Sequence, residues 1–519
     1  MSWEAELAEL RHRRAAALEM GGPEGIARQR KRGKLTVRER IAALADDDSF
    51  EEFNSLTGDS VYDDEGRLVE FTPSAEVEGM CDLDGRRVVI AASDFTVRGG
   101  SGTAEHGALG LELSATQRAL QWRLPLVRLL DTAGGSVKGF EGLGRTYLPD
   151  GGIFTKVDTD LLGVAPVVAA VLGSVAGLPA VDVCMSHFSV MVEGISHVFP
   201  GGPPVVKAAF GYDISKEDLG GPQVHTRESG VVDNLATDEL DAFDQIRLFL
   251  SYLPSSVDEM APRSVPAIAP ADTASRLRDL VPRDPRQPFD ARQLVKLVVD
   301  EDSFFEIAAG YGQGRVVGLA RVDGYPVGVM ANNPAFAGGA TGVAEGDKVI
   351  RLIRLCDSFH LPLVSFVDEP GFMVGLEAER RGIERAGARL ICATNDSRMP
   401  WITFVISRVF GVAGACQHRP SGMYARYCWP SGRWGSMHIQ GGAAAAYKTE
   451  IEAADDPVAK LAEIEQRLDA LASPFRTAEA TGQDIIDPAE TRRYLVRFVH
   501  DAQRVLAIQL GPSPFPYRP

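Results

Sequence analysis

The chain has 519 residues, of which 45% are hydrophobic and 24% are charged, and its formal net charge is −17. Because single hydrophobic cores stop growing at about 250 to 300 residues, this length predicts two domains. The composition is typical of a globular protein and excludes collagen and coiled coils, and the acidic charge disfavours nucleic-acid and membrane partners. Its six cysteines show no zinc-ligand or disulfide spacing, so we expect no metal site, reduced thiols and a cytoplasmic location.

The first 45 residues are rich in Ala, Leu, Glu and Arg at helical spacing, which predicts a helical arm. Further along, residues 161–181 form a stretch of 21 positions without a charge, long enough for a membrane helix. Its prolines and glycines, together with its many valines, instead favour a buried strand followed by a tight turn and the start of a helix.

The two halves of the chain repeat each other. Four short patterns recur in the same order, at offsets of 254, 239, 237 and 234 residues. They are Asp48-Ser49-Phe50 with Asp302-Ser303-Phe304, Asp84-Gly85 with Asp323-Gly324, Leu124–Val127 with Leu361–Val364, and Pro166 and Gly177 with Pro400 and Gly411. An ordered series of this kind indicates a duplication.

A proline-rich stretch separates the halves. Residues 254–288 contain seven prolines, too many for long helices or central strands. We therefore predict an N-terminal domain over 1–253, a linker over 254–288 and a C-terminal domain over 289–519. Because strands alternate with helices in each half, the fold class is predicted to be α/β with parallel sheets.

The common catalytic signatures are missing: the chain has no nucleotide P-loop, dinucleotide-binding glycine motif, GxSxG elbow or HExxH zinc motif. Glycine-rich turns are present at matching places in both halves: Gly99-Gly100 with Gly338-Gly339, and Gly177 with Gly411. Backbone N–H groups at a helix start can stabilise an oxyanion without side chains. Two such turns favour a reaction in which two carbonyl oxygens become negative, although close helix packing is the alternative reason for small residues there.

Five sequence blocks carry a resemblance to a known family. They are GKLTVRERIAAL at 33–44, DFTVRGGSGTAEHG at 94–107, FSVMVEGISHVFPGGPPVVKAAFGYDISKEDLGGPQVHTRESGVVD at 188–233, VDEPGFMVGLEAERRGIERAGARLI at 367–391 and WPSGRWGSMHIQGGAAAA at 429–446. Through them the chain resembles the carboxyltransferase (beta) subunits of biotin-dependent acyl-CoA carboxylases, the group that contains propionyl-CoA and methylcrotonyl-CoA carboxylases.

The resemblance implies two duplicated crotonase-like α/β domains of the ClpP/crotonase superfamily, the first on the acyl-CoA side and the second on the biotin side. It also implies an active site where the N-domain of one subunit meets the C-domain of another. The assembly it implies is a hexamer built as a trimer of dimers, or a hetero-oligomer with a paralogue.

The implied reaction moves a carboxyl group from carboxybiotin, held on a separate carrier, to the α or vinylogous carbon of an acyl-CoA. The chain lacks a Met-Lys-Met biotinylation motif, so the resemblance assigns biotin carboxylase and biotin carrier functions to a partner alpha subunit. Two alternatives stay open: an acyl-CoA decarboxylase of the same fold, and a catalytically silent subunit that assembles with an active paralogue.

The family's two oxyanion turns carry over onto Ala176-Gly177-Leu178-Pro179 and Phe410-Gly411-Val412-Ala413. The resemblance thus assigns the donor amides to Gly177 and Leu178 in the first turn, and to Val412 and Ala413 in the second. Leu178, Pro179 and Val412 stand where the family has smaller residues, and Pro179 has no N–H to donate. These departures are the reason for keeping the silent-subunit alternative.

The remaining candidate residues are predicted to contact ligands. Lys34, beside the basic run Arg28–Arg32, is the candidate for CoA phosphates, with a solvated helix face as the alternative. Ala415 aligns with a position that helps set acyl-chain length in relatives, and its small side chain predicts room for a longer or branched acyl group. The predicted set is completed by the turn glycines, which are Gly99, Gly100, Gly338, Gly339 and Gly411.

Two acidic residues follow strands at corresponding places in the halves. Asp131 follows the Leu124–Val127 run, and Asp368 follows Leu361–Val364. Short acidic side chains after strands often accept hydrogen bonds from turn amides. We predict that both aspartates cap turns.

Overall fold

A computed structural model describes residues 3–101, 113–135, 141, 146, 152, 155–267, 273–284, 287–418 and 421–519. Residues 102–107 of the block at 94–107 therefore lie outside the described residues. The chain divides into two compact units. Unit 1 comprises Met1–Glu259 with Tyr517–Pro519, and unit 2 comprises Met260–Pro516.

The helical arm at the N-terminus consists of three helices, α1 Glu4–Glu19, α2 Gly22–Lys31 and α3 Val37–Leu44. The start of α3 is fixed by a capping box. The Thr36 side chain accepts a hydrogen bond from the Glu39 amide, and the Glu39 carboxylate accepts one from the Thr36 amide at 2.8 Å. These bonds satisfy two backbone donors that a helix start leaves without partners.

Unit 1 contains one large sheet and a separate hairpin. Its strands are β1 Glu51–Phe53, β2 Gly58–Tyr62, β3 Leu68–Pro73, β4 Glu76–Leu83, β5 Arg86–Ser93, β6 Leu126–Thr132, β7 Val167–Ala176, β8 Phe188–Val192, β9 His197–Phe199 and β10 Asn234–Ala236. The sheet order is β1-β4-β5-β6-β7-β8-β10, β9 also pairs with β7, and β2 and β3 form the hairpin. From β5 onward the successive pairs β5–β6, β6–β7, β7–β8 and β8–β10 are parallel, whereas β4 pairs with β5 in the antiparallel direction.

The helices of unit 1 beyond the arm connect and cover these strands. They are α4 Ala115–Trp122, α5 Lys156–Leu161, α6 Leu178–Cys184, α7 Pro203–Phe210, α8 Lys216–Gly220 and α9 Glu239–Ser251. A core of buried apolar side chains, including Val171, Val175 and Val183, lies between β7 and α6.

Unit 2 repeats the plan of unit 1. Its strands are β11 Phe305–Glu306, β12 Arg315–Val322, β13 Tyr325–Asn332, β14 Leu363–Glu369, β15 Trp401–Phe410, β16 Tyr424–Cys428 and β17 Arg433–Gly435. The sheet order is β11-β12-β13-β14-β15-β16, and β17 also pairs with β15. As in unit 1, one antiparallel hairpin, here β12 with β13, leads into parallel strands.

The helices of unit 2 are α10 Thr273–Leu280, α11 Ala291–Val298, α12 Val343–Ser358, α13 Leu376–Arg380, α14 Ile383–Asp396, α15 Gly411–Ala415, α16 Ile439–Ala446, α17 Lys448–Glu452, α18 Pro457–Leu471, α19 Pro474–Thr481 and α20 Thr491–Leu506. The core of unit 2 joins α11 and α20 to the central strands through buried residues such as Leu294, Val329 and Leu495.

The duplication predicted from the four repeated patterns is confirmed. Strands β4, β5, β6 and β7 recur as β12, β13, β14 and β15 at the predicted offsets. The matching hairpin turns have the same backbone: φ is 51° and 76° at Asp84 and Gly85, and 51° and 79° at Asp323 and Gly324. Two consecutive positive φ angles are what a tight two-residue hairpin needs, which explains the Asp-Gly pair in both halves.

The uncharged stretch at 161–181 is the buried strand and turn that the sequence predicts. Most of β7 has no solvent exposure, as expected for a parallel strand covered on both faces. After it, Gly177 leads directly into α6. Among the described residues, no helix has the length and apolarity needed to span a bilayer.

The described residues of the predicted linker, 254–288, make contacts within the units. In unit 1 the amide of Val257 donates to the carbonyl of Val164 at 2.9 Å, and the division between units falls after Glu259. Within unit 2, α10 occupies part of the stretch and buries Leu277 in the core. This helix ends at Leu280, two residues before Pro282, which is consistent with the low tolerance of helices for proline.

A carboxylate in β4 makes the stability of unit 1 sensitive to pH. Burial, with a further contribution from Glu78, raises the pKa of Glu76 from its ordinary 4.5 to about 8. The folded chain therefore holds this proton more tightly than the unfolded chain does. The contribution of protonated Glu76 to the free energy of unfolding is fully present below about pH 4.5 and is lost as the pH rises through about 8.

We expect the urea concentration at the unfolding midpoint of unit 1 to decrease as the pH is raised from about 5 to about 8. In Glu76→Gln, this decrease should be smaller. Urea unfolding followed by fluorescence at four pH values tests this. The exposed Glu70 provides the control Glu70→Gln. An unchanged slope in Glu76→Gln would contradict the prediction.

Candidate functional site

The first turn, Ala176–Pro179, connects β7 to α6. Its glycine carries the unusual backbone conformation, with φ of 72° at Gly177. Leu178 and Pro179 then form the start of the helix. Because the first amides of a helix have no acceptor within it, the N–H of Leu178 can bind an oxyanion, whereas Pro179 has none to offer.

The second turn, Phe410–Ala413, connects β15 to α15 in the same way. Gly411 has φ of 62° and is the first residue of α15, and Val412 and Ala413 follow it in the first turn of the helix. The Val412 side chain is 60% exposed, whereas Ala413 is buried. The amides of both residues lie at the helix start and fit the donor role predicted for them.

The substitutions at Leu178 and Val412 do not distort these turns. Leu178 and Val412 are not among the described residues that have positive φ. The preceding glycines, Gly177 and Gly411, adopt the positive φ that each turn needs. Side chains are well tolerated at negative φ. Both turns therefore present backbone donors despite residues larger than those typical of the resembled family.

The other glycine pairs form left-handed turns. Three consecutive residues have positive φ in each unit, Arg98–Gly100 and Ala337–Gly339. The Gly100 amide donates to the Val97 carbonyl, and the Gly339 amide donates to the Phe336 carbonyl, both at 2.8 Å. Since these amides are used within their own turns, the structure does not support them as donors to a ligand. A Cβ at Gly100 would lie 2.8 Å from Thr132 Cα, so close packing explains that glycine.

Lys34 is not a surface residue. Its side chain is 8% exposed, and Nζ lies 2.5 Å from Asp131 Oδ2. Arg40 Nη1 lies 3.2 Å from the same oxygen, and Gln29 Nε2 donates to it at 2.9 Å. Burial lowers the pKa of Lys34, and Asp131 opposes this effect. The structure thus places Lys34 in a buried ion pair, where its charge neutralises Asp131, and not on a phosphate-binding surface.

The prediction that Asp131 and Asp368 cap turns is wrong. Both lie within strands, β6 and β14, and both are buried. Asp368 binds the Arg408 side chain, with Arg408 Nε 2.7 Å from Oδ1, just as Asp131 binds Lys34. In each unit, therefore, the buried aspartate near the end of the third core strand is paired with cationic side chains: Lys34 and Arg40 on Asp131, and the partly buried Arg408 on Asp368. Buried carboxylates of this kind need such a partner.

A basic cavity lies beside the left-handed turn of unit 1. It has a volume of about 280 Å³ and is lined by Gly25, Arg28, Gln29, Arg32, Phe95, Thr96, Arg98 and Gly99. Arg98 pairs with Asp59. Among the described residues, neither Arg28 nor Arg32 forms an ion pair with a carboxylate. The basic run therefore contributes arginines, rather than Lys34, to a cavity of suitable charge for an anion.

A buried polar network supports the second turn. Glu369 has no exposed surface and pairs with Arg315, which is 1% exposed. Gln417 Nε2 donates to Glu369 Oε2 at 3.0 Å and lies 3.3 Å from the Ala413 carbonyl. Glu369 also accepts a hydrogen bond from Thr341 at 2.6 Å. This network connects strand β14 to the turn and fixes the position of Ala413.

The sequence did not identify this network. Its one local signal is the Asp368-Glu369 pair at the end of the apolar run Leu363–Val367. Charged residues inside a predicted buried strand imply buried partners, but the partners Arg315 and Gln417 lie 54 and 48 residues away.

A second cavity opens at the second turn. Its volume is about 420 Å³, and its lining is mainly apolar. The lining residues are Val367, Thr403, Val405, Val409, Gly411, Gly414, Ala415, Gln417, His418, Arg426, Cys428, Trp434, Gly435, Thr477, Thr481 and Gln483. Ala415, predicted to leave room for an acyl group, is one of them. In the described parts of the chain, no cluster of three or more His, Cys, Asp or Glu side chains is arranged to hold a metal ion.

Comparisons with known proteins agree with this geometry. The carboxyl transferase domain family matches residues 28–505. The propionyl-CoA carboxylase carboxyltransferase subunit of Haloferax mediterranei is 36% identical over 503 residues, which cover 96% of each chain. The biotin-dependent acetyl-/propionyl-coenzyme A carboxylase beta5 subunit of Mycobacterium leprae is 34% identical and is matched over 97% of this chain and 93% of that protein.

A solved structure has the same fold. Transcarboxylase 12S, described as a hexamer with methylmalonyl-coenzyme A and methylmalonic acid bound, has a TM-score of 0.86 at 32% identity, covering 97% of this chain and 96% of that one. The match spans both units, so the predicted fold of two crotonase-like domains is confirmed. The chain belongs to the carboxyl transferase domain family and is a carboxyltransferase of the biotin-dependent acyl-CoA carboxylase type.

Proposed function

We propose that the two turns are the oxyanion-binding sites for carboxyl transfer to an acyl-CoA. In this proposal the amides of Gly177 and Leu178 bind the thioester oxygen, and those of Val412 and Ala413 bind the ureido oxygen of biotin. The observation that carries it is the matched pair of helix starts, each with a positive-φ glycine followed by amides that have no acceptor within their helix. Preorganised donors of this kind stabilise developing negative charge.

Biotin, carried on an alpha subunit that also supplies biotin carboxylase, provides the activated carboxyl group in this proposal. The chain itself holds the reacting groups at reaction distance and stabilises charge through backbone donors. The buried network around Glu369 supports this assignment because it fixes the second turn. We further propose a hexamer, as described for transcarboxylase 12S.

We also propose that the CoA phosphates bind the basic cavity of unit 1. Arg28 and Arg32 line it, and its third arginine, Arg98, belongs to the left-handed turn. On a chain whose net charge is −17, phosphate needs such a local concentration of cations. This assignment moves the predicted phosphate contact from Lys34 to the arginines of the same basic run.

The function is tested by purifying the chain with its biotinylated partner. ATP-dependent incorporation of labelled bicarbonate into a panel of acyl-CoAs is the expected result. An assembled complex that fixes no bicarbonate on any thioester would favour the silent subunit. ATP-independent decarboxylation of malonyl-type thioesters without fixation would favour the decarboxylase.

Replacing Val412 with glycine is expected to preserve activity within about twofold or to raise it. The side chain is exposed and the donor is the backbone N–H, which glycine retains. The measurement is kcat for bicarbonate fixation, with Val458→Gly in α18 as a control for the cost of an exposed valine-to-glycine change, which is less than about 1 kcal/mol. A loss of tenfold or more in Val412→Gly alone would show that the valine side chain itself takes part.

A further inference from the structure

We propose that Arg128 is a positioning residue for the first oxyanion turn. From β6 it binds the far end of α6 and thereby holds the donor amides at the start of that helix. This role rests on the proposed function, because the first amides of α6 are those assigned to the thioester oxygen. Arg128 itself contacts no reacting atom and acts through the helix.

Arg128 is a charged residue in the middle of a buried strand. All seven residues of β6 are buried, and the Arg128 side chain is 6% exposed. Its neighbours in the strand, Val127 and Leu129, have no exposed surface. A buried guanidinium is costly unless its donors are hydrogen-bonded and its charge is paired. The partners of Arg128 therefore show what it holds in place.

Two of these partners are backbone carbonyls at the C-terminal end of α6. Arg128 Nη1 donates to the carbonyl of Asp182 at 3.1 Å and to that of Met185 at 3.2 Å. Asp182 lies in the last turn of α6, and Met185 directly follows the helix. The last carbonyls of a helix have no donor within it, and the helix dipole favours a positive charge beside them. Arg128 supplies both the donors and the charge.

The third partner is a carboxylate on another helix. Arg128 Nη2 forms an ion pair with Asp158 of α5, whose side chain is 11% exposed. Asp182 brings a second carboxyl group close to the guanidinium. Burial raises the pKa of Asp182 from its ordinary 3.8 to about 6, Arg128 opposes this rise and Asp158 adds to it. The guanidinium thus joins β6, α5 and the end of α6 in one cluster.

The position of this helix end determines the position of the donor amides. Because α6 has only seven residues, about 10 Å at roughly 1.5 Å per residue, its two ends move together. A helix this short is not stable by itself. Its apolar contacts through Ala180 and Val183 are not directional, whereas hydrogen bonds depend on distance and angle. The bonds from Arg128 therefore fix where α6 lies along its axis, and with it the amide of Leu178.

The corresponding position of unit 2 is a serine. The offset of 237 residues that relates Asp131 to Asp368 places Ser365 of β14 at the position of Arg128. Ser365 is buried, and its Oγ has no hydrogen-bond partner among the described residues, so it does not hold α15. The second turn is supported through Gln417 instead. The two turns share their backbone conformation and differ in their supports.

The test replaces the arginine and its carboxylate partner separately, in the complete carboxylase complex. Arg128→Gln removes the guanidinium, so α6 loses both bonds at its end. We expect kcat for bicarbonate fixation to fall about tenfold or more, the cost of misplacing a catalytic group. The KM for the acyl-CoA should stay within about twofold, because oxyanion donors act mainly on the transition state.

Asp158→Asn separates positioning from stability. The amide oxygen of asparagine still accepts from Arg128, and the bonds from Arg128 to α6 remain. The variant loses the ion pair and should lose stability, yet its kcat should stay within about twofold of the unmodified chain. An equal loss of kcat in Asp158→Asn and Arg128→Gln would make the effect one of stability and would overturn the proposal.

Arg492→Gln is the matched control in unit 2. Arg492 has partners of the same kinds, the Val298 carbonyl at 2.8 Å and the Asp300 carboxylate at 2.6 Å, but it binds the end of α11 and neither turn. We expect it to lose stability and keep its kcat. An unchanged kcat in Arg128→Gln, or a loss that appears in KM alone, would contradict a positioning role for Arg128.

Arg128→Lys takes the place of Arg128→Gln if that variant does not fold. Lysine keeps the charge beside Asp158 but lacks the planar fork that binds two carbonyls and a carboxylate together. We therefore expect kcat to fall in this variant as well, with KM preserved. A kcat equal to that of the unmodified chain would overturn the proposal.

Hydrogen exchange of α6 tests the contact without relying on activity. Peptides that cover residues 177–185 are compared by mass spectrometry in the unmodified chain, Arg128→Gln and Asp158→Asn. Faster exchange in Arg128→Gln alone supports the hold on α6, and equal exchange in all three chains overturns it. If the unmodified complex carboxylates no thioester, the proposed function fails, and the exchange rates still decide whether Arg128 holds this helix.

Discussion

Replacing Gly177 with valine is expected to lower carboxyl transfer by about 100-fold or more, the cost of losing an oxyanion donor, while the chain remains folded. Gly177 has φ of 72°, and a Cβ there would meet no atom within 4 Å. The substitution therefore creates no clash. It strains the backbone by about 1 to 3 kcal/mol, because φ of 72° with ψ of −136° is a conformation that L side chains avoid. Relief of this strain turns the amides at the start of α6 away from their donor positions.

The control for this substitution also places valine at a positive-φ glycine, in a distant turn. Gly66, in the β2–β3 hairpin, has φ of 78° and also meets no atom within 4 Å. Gly66→Val should lose similar stability and keep its activity. Bicarbonate fixation and thermal unfolding of both variants are the measurements. Normal activity in Gly177→Val would refute the assignment of the first turn as an oxyanion site.

Replacing Glu369 with glutamine is expected to destabilise unit 2 by about 3 to 5 kcal/mol, since it leaves the buried Arg315 without its counter-charge. Arg315 is 1% exposed and Glu369 is fully buried, so water cannot solvate the remaining cation. The same substitution weakens the bond from Gln417 to Glu369 and, through it, the support of Ala413.

Urea unfolding measures the stability loss, and the activity that remains measures the effect on the second turn. Glu306→Gln is the control, because its ion pair with Arg292 is partly exposed, at 17% and 26% for the two side chains. Partly exposed pairs contribute about 1 kcal/mol or less. If both variants lose the same stability, the buried network is not the support of unit 2 that its geometry indicates.

Local patterns predicted most of the fold. The Asp-Gly pairs at 84 and 323 mark hairpins because their positive φ angles suit those residues. The glycines at 177 and 411 mark the two turns for the same reason. Each of these features depends on neighbours along the chain, so the sequence carries the signal directly.

Contacts between distant residues account for what local patterns did not indicate. Lys34 follows a basic run whose composition predicts an exposed surface. In the structure it forms an ion pair with Asp131, which lies 97 residues away in the sequence. Asp131 and Asp368 both follow apolar strand runs, a position that suits a turn cap and a buried counter-ion equally, so no local pattern distinguishes the two. Within the proline-rich stretch predicted to be a linker, Leu277 packs in the core of unit 2, a contact that no local pattern indicates.

By itself, the sequence determined the duplicated α/β plan and the position of both turns, since periodicity and glycine placement are local properties of a chain, and the resemblance of its sequence blocks indicated the family. Only the tertiary structure decided which charges are buried, which residues support the second turn and where a cavity opens beside Ala415. The physical reason is that burial, ion pairing and empty volume arise from side chains that meet when distant strands and helices pack together.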